Sequence, residues 1–199
     1  VSMLVHANQM LEAPIRRWGK WKLQEANLSL DTGTGIIAYD APEKDLDEMG
    51  EMPPLGFVPK SMYAWAIRRE RHGEPDTAMQ QEVVDVPTLD SHEVLVLVMA
   101  AGVNYNGVWA ALGQPISPFD GHGQPYHIAG SDAAGIVWAV GDKVKRWKVG
   151  DEVVVHCNQD DGDDEHCNGG DPMFSTSQRI WGYETPDGSF AQFTNVQAQ

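Results

Sequence analysis

The run Val94-Leu95-Val96-Leu97-Val98-Met99 and the stretch after it, Ala100-Ala101-Gly102-Val103-Asn104-Tyr105-Asn106-Gly107-Val108-Trp109, decide how this chain is read. Apolar residues without a polar interruption read as a buried strand. Gly102 breaks the run, and asparagines and large aromatics follow directly. Tyr105 to Leu112 reads as a short helix, stopped near Gly113 and Pro115. Short side-chain amides just past a buried strand, beside the start of a helix, are what a recessed binding site needs.

Outward from that stretch the texture is one of short strands. Met62-Tyr63-Ala64-Trp65-Ala66-Ile67 is a strand candidate, followed by charged Arg68-Arg69-Glu70-Arg71 and the turn His72-Gly73-Glu74-Pro75. Gln80-Gln81-Glu82-Val83-Val84-Asp85-Val86-Pro87 is a second, closed by a proline that cannot donate to a ladder. Residues 116–126 form a loop carrying Pro118, Gly121, Gly123 and Pro125. Residues 127–140 lead into a strand, Gly141-Asp142 is a turn, and residues 144–156 resume the sheet. An acidic loop over residues 158–171 precedes Ile180-Trp181-Gly182-Tyr183-Glu184-Thr185, and a last strand over residues 190–196 ends the chain. Such spacing, punctuated by Gly, Pro and Asp, predicts a mostly β domain with short helices, in a barrel or a sandwich. The acidic stretch before Pro53-Pro54 marks a boundary. Residues 1–51 are therefore taken as an N-terminal extension and residues 52–199 as the domain. Within the extension, Ile15-Arg16-Arg17-Trp18-Gly19-Lys20-Trp21-Lys22 reads either as an interaction arm or as part of a poorly ordered terminus. The stop on a strand points to truncation.

Composition removes several function classes. A formal charge of -15 over 199 residues argues against nucleic acid and anionic membrane surfaces as partners. With 42% hydrophobic residues and a mean hydropathy of -0.37, the chain has enough for a core and reads as soluble and cytoplasmic. No apolar run approaches the ~20 residues that span a bilayer. Two cysteines are too few for a disulfide framework. The pairs His156-Cys157 and His166-Cys167 are not at a usual zinc spacing, and Asp160-Asp161-Gly162-Asp163-Asp164-Glu165 lacks the ligand alternation of an EF-hand. The segment reads as a solvated acidic loop, and no metal is expected.

A resemblance sharpens this reading. Gly130-Ser131-Asp132-Ala133-Ala134-Gly135-Ile136-Val137, the Gly141-Asp142 turn and Trp147-Lys148-Val149-Gly150-Asp151-Glu152-Val153 resemble the GroES-like barrel of the medium-chain dehydrogenase/reductase superfamily. Gly102-Val103-Asn104-Tyr105-Asn106, Tyr126-His127-Ile128-Ala129-Gly130, His156-Cys157-Asn158 and Arg179-Ile180-Trp181-Gly182-Tyr183-Glu184 are similar to the crotonyl-CoA carboxylase/reductase family in particular. The match runs over about residues 52–199, as an incomplete GroES-like catalytic domain. Zinc alcohol dehydrogenases of the superfamily carry a ligand Cys where this chain has Asn104, and a ligand His where it has Gly130-Ser131-Asp132. The resemblance therefore implies a zinc-independent reductase.

It also implies an activity: NADPH-dependent reduction of crotonyl-CoA, with capture of CO2 to give ethylmalonyl-CoA, by a homo-oligomeric parent enzyme. The dinucleotide-binding Rossmann domain is missing. Gly33-Thr34-Gly35 lacks the preceding strand and the spacing of a Gly-x-Gly-x-x-Gly unit, so no residue is assigned to NADPH and the fragment alone is expected to be inactive.

Asn106 is the residue the resemblance assigns to holding CO2. Read without it, Asn106 is equally a helix-start asparagine that satisfies a backbone N–H. Glu184 is similar to the family glutamate that orders a water near CO2, or else is a surface carboxylate in a turn. Tyr183 aligns with an aromatic position that screens the carbon nucleophile from water. The family's contributing histidine follows its cofactor domain, so none of the seven histidines here takes that role. His127 reads as a pocket or structural histidine, and Asn104, Tyr105 and Trp109 as packing and local hydrogen-bonding residues. Two other readings stand beside the carboxylase: a non-carboxylating enoyl-CoA or quinone reductase, and a non-catalytic GroES-like interaction module.

Overall fold

The structure is a computed structural model that describes residues 42–198 in full, with the backbone of three short strands before them. These are β1 (Leu4–His6), β2 (Ser29–Leu30) and β3 (Ile37–Ala38). Both the basic-aromatic cluster at residues 15–22 and Gly33-Thr34-Gly35 lie outside the described residues.

The apolar run becomes β6 (Glu93–Ala101), and its two faces feed two separate cores. Val94 and Val96 point into one with Val137, Val153 and Trp181. Leu95 and Leu97 point into the other with Met62, Trp138 and Phe193. This is the period-2 geometry of a strand covered on both sides. The neighbouring strand β8 (Ala133–Val140) splits in the same way, Val137 to the first core and Trp138 to the second. With β9 (Glu152–Val155) and β12 (Phe193–Gln197) they form an antiparallel sheet of order β1-β9-β8-β6-β12. The second sheet has the order β5-β4-β7, from β4 (Ser61–Ile67), β5 (Gln80–Asp85) and β7 (His127–Ile128). A small ladder pairs β10 (Asn158–Gln159) with β11 (Arg179–Ile180). A one-turn helix, α1 (Pro75–Ala78), and the longer α2 (Tyr105–Leu112) complete the pattern of a mostly β fold with short helices.

Three segments differ from the sequence expectation, each for a local reason. The segment read as leading straight into a strand from His127 is two strands in two sheets. Gly130, at φ 103, turns the chain between β7, which pairs with β4, and β8, which pairs with β6. The return to the sheet begins at Glu152 rather than Val144. Before it, Trp147 is buried with its Nε1–H on the Ala198 carbonyl at 3.1 Å, and Asp151 closes a turn by accepting the Lys148 N–H at 3.0 Å. The last strand begins at Phe193, because Ala191 makes only an isolated bridge to Ala64.

The acidic segment is organised rather than merely solvated. Asp160 accepts the Gly162 N–H at 2.9 Å, Asp161 accepts the Asp163 N–H at 3.1 Å, and Asp164 accepts those of His166 and Cys167 at 2.9 and 3.0 Å. Short acidic side chains here supply the turns that the backbone lacks. Upstream of the proline pair, residues also touch the domain: Ser61 N–H donates to the Asp45 carbonyl at 2.9 Å, and Gln192 Nε2 to that of Asp47 at 3.1 Å.

Candidate functional site

The site is built at the point where β6 ends and α2 begins. Asn104, in extended conformation, caps α2: its Oδ1 accepts the Asn106 backbone N–H at 2.9 Å. Capping satisfies one of the donors that the first turn leaves without a partner. Asn104 Nδ2 donates to Ser131 Oγ at 3.1 Å and to Asp132 Oδ2. The side-chain amide of Asn106, half-buried in the first turn of the helix, makes no hydrogen bond among the described residues. The cap that sequence reasoning offered to Asn106 thus belongs to Asn104, and the fold leaves the Asn106 amide unused.

The inner face of α2 contributes Ala110 and Ala111 to a third apolar cluster with Ile67, Ala78, Phe119 and Ala129. Tyr183 packs against that cluster, and its Oη donates to the Ile116 carbonyl at 2.7 Å. Burial raises the Tyr183 phenol above its ordinary pKa, so it stays a neutral donor. Glu184 turns back on its own loop: Oε2 accepts the Ile180 N–H at 2.6 Å, and its backbone N–H donates to the Ile180 carbonyl at 2.7 Å. Tyr183 and α2 are therefore brought together through shared packing. No hydrogen bond joins Asn106 to Tyr183 or Glu184 among the described residues. Around them Val103, Tyr105, Trp109 and Ile116 are exposed, Val103 at 88%.

Sequence reasoning named His127 but missed the cluster of histidines and Phe119 that it belongs to. His127 is fully buried, and its Nδ1 lies 3.1 Å from His122 Nε2 with the two rings stacked. Phe119 stands at an angle to both rings and to that of His72. Nothing in the glycine- and proline-rich loop from 116 to 126 signals burial, so the cluster is visible only in three dimensions. His127 Nε2 is buried without a hydrogen-bond partner among the described residues. Burial, and then the neighbouring His122, push its pKa down to about 3. Asp187 lines a hollow of about 340 Å³ with Tyr126 and Asn195. Burial, and then Glu93, raise the Asp187 carboxyl to about 6.

These two groups pull stability in opposite directions with pH. An unfolded His titrates near ~6.5, so as pH falls from there toward 3 the unfolded chain gains a proton that folded His127 refuses, and stability drops. An unfolded Asp titrates near ~3.9, so between about 4 and 6 folded Asp187 keeps a proton that the unfolded chain releases, and stability drops as pH rises. His127→Asn should leave the Asp187 slope exposed, and Asp187→Asn the His127 slope, each approaching ~1.4 kcal/mol per pH unit. Urea midpoints of the full-length parent at pH 4.5 and 6 read both slopes. Same-sign changes in the two variants would refute the assignment.

The metal expectation meets the same residues. Asn104, Ser131 and Asp132 are engaged with one another. Cys157 and Cys167 are both free thiols. Among the described residues no group of three or more His, Cys, Asp or Glu side chains is arranged to hold a metal ion. Nor is any helix among them long and apolar enough to cross a membrane.

A capped helix after a doubly covered strand, framed by two antiparallel sheets, defines a class. The pattern of the alcohol dehydrogenase GroES-like domain matches residues 90–199, and the chain belongs to that family. Within it, the chain is a homologue of crotonyl-CoA carboxylase/reductase. It is 83% identical over 172 residues to the crotonyl-CoA carboxylase/reductase of Cereibacter sphaeroides, covering 86% of this chain and 40% of that relative. A solved crotonyl-CoA carboxylase/reductase superposes with a TM-score of 0.75 at 76% identity, over 77% of this chain and 36% of that one. The 2-octenoyl-CoA carboxylase reductase CinF, solved in complex with NADP and 2-octenoyl-CoA, is 37% identical with a TM-score of 0.66, over 71% of this chain and 36% of its own. The chain thus spans 40% of the length of its Cereibacter relative.

Proposed function

We propose that this chain is the GroES-like part of a parent enzyme that adds hydride to crotonyl-CoA and carboxylates the resulting enolate to ethylmalonyl-CoA. The observation that carries the reading is the 83% identity over 172 residues to a crotonyl-CoA carboxylase/reductase. The unused Asn106 amide beside the Tyr183 packing cluster agrees with it.

NADPH is the hydride donor of such a reaction, and none of the residues here is assigned to it. The residues here act on the CO2 side. CO2 carries no net charge and no dipole, so weak binding is the problem to be solved. The Asn106 amide donates an N–H to one CO2 oxygen and holds the carbon at attack distance from the thioester enolate, turning an encounter into a local step. The enolate α-carbon then forms the new C–C bond, and the electron pair of one C=O bond moves to oxygen as the carboxylate. Tyr183 keeps bulk water from the same carbon, since a proton arriving there gives butyryl-CoA instead. Glu184 is held by the Ile180 N–H through one oxygen, which leaves the other to order a single water. The parent is read as a cytoplasmic homo-oligomer, independent of zinc, with neither nucleic acid nor membrane as partner. Its catalytic part is read as starting near residue 52, with Asp45 and Asp47 just upstream bonded to it.

The full-length gene product, supplied with crotonyl-CoA and NADPH, is expected to form ethylmalonyl-CoA when bicarbonate is present and butyryl-CoA when it is absent. Butyryl-CoA under both conditions rejects the carboxylase and leaves a plain reductase. No turnover at all leaves the interaction module.

A further inference from the structure

Asn104, Ser131 and Asp132, which the resemblance aligns with metal-ligand positions of zinc-dependent relatives, bond to one another here, and the arrangement leads directly to Asn106. Asn104 commits its whole side chain. Oδ1 takes the Asn106 N–H at 2.9 Å, and Nδ2 gives to Ser131 Oγ at 3.1 Å and to Asp132 Oδ2. A backbone bond runs beside it, from Gly102 N–H to the Asp132 carbonyl at 3.0 Å, one step beyond the last β6–β8 pair, Ala101 with Ala133. The amide is planar, so its oxygen and nitrogen cannot be re-aimed independently. The direction of the cap bond is therefore set by where Asp132 and Ser131 sit on the rim of the sheet.

We propose that Asn104 is a positioning residue for carboxylation: it ties the first turn of α2 to the edge of β8 and thereby places the Asn106 amide. The inference rests on the reading of Asn106 given above. It extends that reading to a residue that does not touch the substrate.

Capping alone and positioning predict different things for one substitution. Aspartate caps helices as well as asparagine does. Asn104→Asp therefore keeps the bond to the Asn106 N–H, while it removes both Nδ2–H donors and sets a second carboxylate against Asp132. The exchange Asn104→Asp with Asp132→Asn restores the link with donor and acceptor reversed. The amide introduced at position 132 would then donate to the carboxylate introduced at position 104, and the Ser131 hydroxyl would donate in its turn.

In the full-length parent, the apparent KM for CO2 and the ratio of carboxylated to reduced acyl-CoA are read beside the thermal midpoint. N104D is expected to raise the KM for CO2 about tenfold and to divert product toward the reduced acyl-CoA, with reduction slowed much less. The exchanged pair should recover most of the loss. An N104D enzyme with unchanged product ratio overturns the proposal and leaves Asn104 as a cap. A lowered midpoint with reduction and carboxylation falling in parallel overturns it too, in favour of a purely structural role. Failure of the exchange to rescue removes Asp132 from the link and overturns the tether. N106A, measured alongside, separates the two levels: an unchanged product ratio there refutes the reading of Asn106 itself, whereas a changed ratio in N106A with none in N104D refutes only the tether.

Discussion

Alanine at position 106 is expected to redirect the parent enzyme's product while leaving its fold intact or slightly firmer. The cap bond from Asn104 reaches the backbone N–H of Asn106, not its side chain, so truncation at Cβ leaves the first turn of α2 capped. The side-chain amide makes no hydrogen bond among the described residues. No internal polar group is left unpaired by its removal. Alanine is also the better helix former by roughly 0.5 kcal/mol, so the thermal midpoint should hold or rise. The cost falls on CO2. Losing one hydrogen bond to a ligand that has little else to hold it is worth about 1–1.5 kcal/mol, or roughly tenfold in the carboxylated-to-reduced product ratio at limiting bicarbonate. Activity lost with no loss of stability is the signature of a residue kept for function. A product ratio equal to that of the unmodified enzyme would remove Asn106 from the site, and a lowered midpoint would return it to the fold.

That separation between fold and function is only half legible in the sequence. The bounds of α2 are readable because an asparagine precedes it and Gly113 follows it, and β6 is readable because its apolar run has no interruption. Which of two asparagines does the capping is not, since Asn104 and Asn106 are both within reach of a first-turn N–H. Only the bond from the Asn106 N–H to Asn104 decides it. The division between β7 and β8 is hidden for a different reason. Ala129 and Ala133 are buried on either side of the turn, so the composition does not change where the chain passes from one sheet to the other. The burial of His127 depends on the Phe119–His122 loop folding over it, a long-range event that local composition does not encode. Tyr183 and Glu184 are named through family resemblance, and nothing in their spacing requires Glu184 to fold back onto Ile180.

Gly182 is where fold and site cannot be separated, and Gly182→Ala is expected to damage both. The residue adopts φ 72, and a Cβ built there would stand 2.0 Å from the Gly130 carbonyl oxygen and 2.6 Å from its carbon. Those are backbone atoms with no rotamer to yield. The Gly130 carbonyl is also committed, accepting the Ser189 N–H at 2.9 Å at the turn between β7 and β8. Left-handed strain of about 1–2 kcal/mol adds to overpacking of about 1–3 kcal/mol, for a loss of roughly 2–5 kcal/mol. Gly150→Ala serves as the control, because Gly150 shares the left-handed region at φ 94 while its nearest neighbour would be Leu55 Cδ2 at an ordinary 3.7 Å. It should cost the strain alone. Relief of the clash at 182 must move the segment that follows, where the Gly182 N–H meets Thr185 Oγ1 at 2.9 Å, Tyr183 reaches Ile116, and Glu184 holds Ile180. Carboxylation in G182A should therefore fall further than the loss of folded protein explains, as measured by activity per folded molecule against a urea titration. If G182A and G150A lose the same stability, the close approach to Gly130 is not a constraint. If activity per folded molecule is preserved in G182A, the Tyr183–Glu184 turn does not carry the site.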